Sequence, residues 1–68
     1  MQKVLTMEGH YIKFERADDM SWLVSEGIER MNEDYEITLR FSSPQKLTQQ
    51  QAVDEMDKFI AWGYESTS

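Results

Sequence analysis

Sixty-eight residues make one small domain, and a chain of this size buries only ~60 % of the surface its unfolded form exposes. Thirteen acids against seven bases give a net charge of −6, which argues against nucleic acid as a direct ligand and against an anionic membrane surface, since both call for a basic patch. With no cysteine, disulfides, thiolate metal sites and a cysteine nucleophile are all ruled out.

The same absence fits a reducing compartment, and a cytoplasmic location is expected. No apolar run approaches the ~20 residues of a spanning helix, and the N-terminus has no signal-peptide core. At 40 % hydrophobic the chain is too apolar for a disordered acidic tail.

Residues 3–16 read as a hairpin. Lys3–Met7 and Tyr11–Glu15 flank Glu8-Gly9-His10, and a two-residue Gly9-His10 loop suits a type II′ turn. That register pairs Leu5 with Phe14 and Met7 with Ile12, leaving Val4, Thr6, Lys13 and Glu15 on the wetter face. Residues 18–31 read as a helix. Asp18 or Asp19 serves as N-cap, and Met20, Leu23, Val24, Gly27 and Met31 share one face at 3.6 residues per turn. Gly27 and the β-favouring run Trp22-Leu23-Val24 oppose that reading, and the rival assignment makes Met20–Val24 a third strand after an Ala17–Asp19 turn.

After an Asn32-Glu33-Asp34 turn comes the strand of residues 35–42. In it Tyr35, Ile37, Leu39 and Phe41 alternate with Glu36, Thr38 and Arg40, the pattern of a half-buried strand. Pro44 stops it. Thr48-Gln49-Gln50-Gln51 matches a capping box, opening a helix over 48–62. Its stripe is Ala52, Val53, Met56, Phe59 and Ile60, and Gly63 terminates it. Residues 65–68 are expected to fray. The order β–β–α–β–α implies an α+β fold: a three-stranded antiparallel sheet in the order 2-1-3, with both helices on one face. Leu5, Met7, Ile12, Phe14, Ile37, Leu39, Met56, Phe59 and Ile60 form its expected core.

Chemistry is sparse. The single histidine, His10, reads as a solvated turn residue, and neither Ser21 nor Ser25 has a base at a useful spacing. Asp54/Asp57 and Glu29/Glu33 lack the acid-and-glycine spacing of a calcium loop. Gly9, Gly27 and Gly63 are isolated, so no phosphate loop exists. No cofactor, metal or catalytic residue is expected, and the chain reads as non-enzymatic.

Two features point to a partner. Trp22 and Trp62 project away from their helices' apolar stripes, as interface anchors do. Glu29, Glu33, Asp34 and Glu36 crowd the helix-to-strand corner, where a helix dipole disfavours negative charge. These six residues are the candidate partner-binding set. The function they suggest is an acidic protein-binding module of the kind found among phage inhibitors. It would occupy a basic, nucleic-acid-binding surface of a nuclease, restriction or CRISPR complex in place of phosphates. The alternative is an assembly module that homodimerises through a sheet edge or its uncovered face.

Overall fold

In the computed structural model, which describes residues 2–67, the two ends of the first hairpin, β1 (Gln2–Met7) and β2 (His10–Arg16), are joined by Glu8 and Gly9. Both loop residues have positive φ, 48° and 81°, which makes a type I′ turn, the form whose twist suits antiparallel strands. The hairpin is therefore as expected, but the loop sits one residue earlier. Leu5 faces Ile12 and Met7 faces His10, two residues away from the expected pairing. A shift of two keeps every side chain on its expected face.

Residues 22–31 are the main correction. They form β3 (Trp22–Met31) rather than a helix, and β3 pairs with β2 from Arg16↔Trp22 to His10↔Ile28. The acids expected to cap a helix build the β2–β3 turn instead. Met20 N–H bonds to Ala17 O at 3.2 Å and Ala17 N–H to Ser21 O at 2.9 Å, with Met20 in the left-handed region at φ 71°. This is a three-residue hairpin loop closed by a left-handed residue. The rival reading, a strand after a turn at 17–19, lay nearer the outcome.

A second loop of the same type connects β3 to β4 (Ile37–Phe41). Tyr35 N–H bonds to Asn32 O at 3.1 Å and Asn32 N–H to Glu36 O at 3.0 Å, and Tyr35 takes φ 61°. Asn32 Oδ1 also accepts the N–H of Asp34 and of Glu36, at 3.0 and 2.9 Å. Tyr35 thus belongs to the turn and not to the strand. Beyond β4, Gln45–Leu47 form β5, which pairs with the first half of β3. Phe41 faces Gly27 and Gln45 faces Val24, so three residues (42–44) stand opposite two (25 and 26). The extra residue is a β-bulge, and it accommodates Pro44.

The chain closes with α1 (Gln49–Ala61) and β6 (Glu65–Ser66). Thr48 Oγ1 accepts Gln51 N–H at 3.2 Å, and Gln51 Oε1 accepts Thr48 N–H at 3.0 Å, the capping box read from the sequence. Gly63 at φ 107° ends the helix. Glu65 and Ser66 pair with Thr6 and Leu5, where a frayed end was expected; Ser68 lies outside the described residues.

The result is a six-stranded antiparallel sheet in the order β4-β3-β2-β1-β6, with β5 also on β3 and one helix on one face. This replaces the three-stranded, two-helix arrangement. The missing helix became the central long strand, so β4 lies beside β3 and not beside β1.

Strand pairing assigns the faces. The face toward α1 carries Leu5, Met7, His10, Ile12, Phe14, Trp22, Val24 and Leu47, and the outer face carries Val4, Tyr11, Lys13, Leu23, Gly27, Ile37, Leu39 and Phe41. Leu5, Ile12, Phe14, Ala52 and Tyr64 are buried, with Met7, Trp22, Val24, Met56 and Phe59 packed around them. Ile37, Leu39 and Ile60, all expected inside, are exposed. The first two lie on the sheet face away from the helix, and the third on the flank of α1, beside the stripe of Ala52, Met56 and Phe59. Tyr64, unforeseen, fills the gap and packs edge-on against Phe59 with ring centroids 5.1 Å apart.

One helix cannot cover this much sheet. The radius of gyration is 12.9 Å, against ~10.9 Å for a compact domain of this length. Every residue from 28 to 46 is exposed. The far half of β3, with β4, forms an arm that extends beyond the helix-covered core.

Candidate partner-binding surface

The arm displays an apolar strip on the outer face. Met31, Ile37 and Leu39 are 62 %, 64 % and 44 % exposed, and all three lie on the same side of β3 and β4. Phe41 ends the strip and packs across the strands onto Gly27. A Cβ built at Gly27 would sit 2.5 Å from the Phe41 ring, so only glycine allows that approach. Lys13 Nζ lies 4.6 Å from the ring centroid on the same face, a cation–π contact. At the tip, Tyr35 is 83 % exposed, a large aromatic side chain held in a backbone conformation that costs it ~1–2 kcal/mol.

Charge surrounds the strip. Glu33 and Asp34 occupy the tip loop beside Tyr35. Glu29 stands on the outer face opposite Leu39 and accepts the Tyr11 hydroxyl at 2.5 Å, a contact that raises the Tyr11 phenol above its ordinary pKa. Glu36 is on the other face, because strand alternation separates it from Ile37. The hairpin therefore gathers all four expected acids into one arm, but it divides Glu29 and Glu36 between opposite faces.

The two tryptophans part company. Trp22 is half-buried against the core, with its indole N–H buried and without an acceptor among the described residues. Trp62 is 62 % exposed at the C-cap of α1, edge-on to Phe59 at 5.6 Å. It lies on the helix, away from the arm. Tyr35 and Met31 are the surface residues that sequence reasoning missed. Tyr35 was absorbed into the alternating strand, and Met31 into a helical stripe.

His10 is not a solvated turn residue. It is half-buried on the helix-facing side of β2, with Nε2 2.9 Å from Glu26 Oε1 and Nδ1 against the Tyr64 hydroxyl. A neutral imidazole with the proton on Nε2 satisfies both contacts, donating to Glu26 and accepting from Tyr64. The trio ties β2, β3 and the segment after α1 together. It leaves no free ring nitrogen, so this histidine is occupied as a structural clamp. No group of three or more His, Asp or Glu side chains could hold a metal ion among the described residues. No described helix is long and apolar enough to cross a membrane.

Comparison with protein families, with curated proteins and with solved structures finds no match.

Proposed function

We propose that the chain is a non-enzymatic protein-binding module whose contact surface is the β3–β4 arm. The observation that carries this reading is the apolar strip of Met31, Ile37, Leu39 and Phe41 on an arm exposed throughout. Isolated apolar residues on a surface are ordinary, but a contiguous row on one sheet face marks an interaction surface. The strained Tyr35 supports it, since strain of this kind is retained where a side chain has a task.

Charge narrows the partner. Glu33 and Asp34 flank the strip on a chain of net charge −6, so a basic surface on a larger protein is favoured for encounter and for orientation. The nucleic-acid-binding groove of a nuclease, restriction or CRISPR complex is one such surface, and occupying it would make the chain an inhibitor of the phage type. The lack of cysteine suits a partner in a reducing compartment such as the cytoplasm.

The test uses the arm's tip. The parent chain captures its partner from host lysate, and binding kinetics are then measured at two salt concentrations. Glu33→Lys together with Asp34→Lys should weaken binding at low salt and matter less at high salt. Tyr35→Asn should speed dissociation while leaving the fold intact, because asparagine accepts the left-handed conformation. If both variants bind with parental affinity, the arm is not the contact surface.

A further inference from the structure

β4 is the last strand of the sheet on its side, and its open edge has a specific hydrogen-bonding pattern. Asn32 N–H bonds to Glu36 O at 3.0 Å and Ser42 N–H to Glu26 O at 2.7 Å. In an antiparallel ladder bonded and non-bonded pairs alternate. The even-numbered residues of β4 therefore turn their backbone groups toward β3, and Ile37, Leu39 and Phe41 turn theirs outward. An edge of this kind, apolar on one face and bare of lysine or proline over five residues, is a template for another strand.

We propose that this edge pairs with the β4 edge of a second copy of the chain, antiparallel, about a two-fold axis at Thr38. The side chains favour that register. Glu36 and Arg40 lie on the same face of the strand, and neither has an ion-pair partner among the described residues. Around a two-fold axis at Thr38, Glu36 of each copy stands opposite Arg40 of the other, twice over. These are non-hydrogen-bonded positions, where facing side chains are closest.

Thr38 meets its own counterpart, a favourable cross-strand pair. Ile37 pairs with Leu39 of the other copy through outward-facing backbone groups, so the two apolar strips join on the outer face. A shift of the axis to Leu39 would set Thr38 against Arg40 and leave Glu36 facing Ser42. Moving it to Arg40 would place two guanidinium groups against each other, which is destabilising. The Thr38 register alone satisfies the charges.

The interface is isologous, as closed two-fold dimers require. Tyr35 then stands at the end of the interface, opposite Phe41 of the other copy, while Glu33 and Asp34 lie beyond the paired segment and stay available to another protein.

The experiment measures the oligomeric state of the chain alone, by sedimentation equilibrium, so it is independent of any captured partner. The parent should dimerise. Glu36→Arg or Arg40→Glu alone should weaken the dimer by about tenfold or more, since each variant replaces two opposite-charge pairs with two like-charge pairs. The double variant E36R/R40E should recover it to within about tenfold of the parent. Because the chain has no cysteine, a single introduced one reports the register directly. Thr38→Cys should form a covalent dimer on oxidation, as facing Cα atoms about 4.5 Å apart lie within disulfide reach. Leu39→Cys should not.

A parent that stays monomeric at about 100 µM, where an edge of micromolar affinity would be mostly paired, overturns the proposal. So does a dimer indifferent to the single charge reversals, or one that crosslinks through Leu39→Cys and not through Thr38→Cys.

Discussion

Among the described residues, three other than glycine have positive φ, namely Glu8, Met20 and Tyr35, and each sits in a hairpin loop. A residue with a Cβ is strained there by ~1–2 kcal/mol. Glu8→Asn should stabilise the fold by about 0.5–1 kcal/mol, since Asn-Gly is the preferred pair for a type I′ turn. A rise in the thermal midpoint checks it. Tyr35→Gly should stabilise by a similar amount while weakening partner binding, so stability and function would move in opposite directions at this residue alone. Gly27 behaves in the reverse sense. Gly27→Ala must displace the Phe41 ring and should cost roughly 1–3 kcal/mol, read from denaturant midpoints. Neither left-handed position, 20 or 35, holds a glycine or asparagine, so the turn at 32–34 was legible but not the place of Tyr35 in it, and a turn at 17–19 entered only with the rival reading.

Among the elements, α1 and the β1–β2 hairpin were legible because each carries a local signal: a reciprocal cap for one, a glycine turn between alternating strands for the other. β3 was not. Its first half buries side chains on both faces, Trp22 and Val24 toward the helix and Leu23 on the outer side, so alternation disappears. Beyond Gly27 the strand is exposed on both faces, so nothing restores it. The apolar residues that remain happened to fit a helical period, and Asp18 and Asp19 looked like a cap. β4 misled in another way. Its alternation is real, but it marks a displayed strip rather than a buried one, and pattern alone does not say which face meets the helix.

The β2–β3 turn is held to β5 by Lys46, whose ammonium is 2.6 Å from the Asp19 carboxylate. That ammonium, with the Ser21 hydroxyl and N–H, keeps the Asp19 carboxyl far below the usual carboxylate range. A carboxyl depressed in the folded state adds stability above its unfolded pKa of ~3.9 and loses it as pH falls below that value. The gap in thermal midpoint between the parent and Asp19→Asn should therefore be widest near pH 6 and narrow steadily toward pH 2–3. A gap constant with pH would mean that the pair contributes nothing through its charge.

Taken whole, the molecule is a small covered core with an uncovered arm. Five apolar residues are buried among the described residues, and stability for a chain of this length is of order 3–10 kcal/mol. Leu5→Ala or Phe14→Ala should cost ~2–5 kcal/mol and bring the chain close to unfolding. Leu39→Ala, 44 % exposed on the arm, should cost under ~0.5 kcal/mol. Denaturation of the three variants side by side distinguishes a residue that holds the fold from one that the fold holds out. The six residues expected to bind a partner were legible as chemistry but not as geometry. Four of them do share one arm, whereas Trp22 is packed against the core and Trp62 belongs to the helix.

The bulge at residues 42–44 has a consequence for how such a surface can arise. Before it, the odd-numbered residues of β4, Ile37, Leu39 and Phe41, point outward; after it, odd-numbered Leu47 points inward. One extra residue therefore acts as a parity switch between display and burial. Deleting Ser43 would leave three steps facing three on β3, so a regular ladder would keep Ile37, Leu39 and Phe41 outward and Leu47 inward. At its present length, unbroken alternation from 37 to 47 would force Leu47 onto the side of the strip, so the extra residue is what lets one stretch of chain supply both the displayed face and the interior.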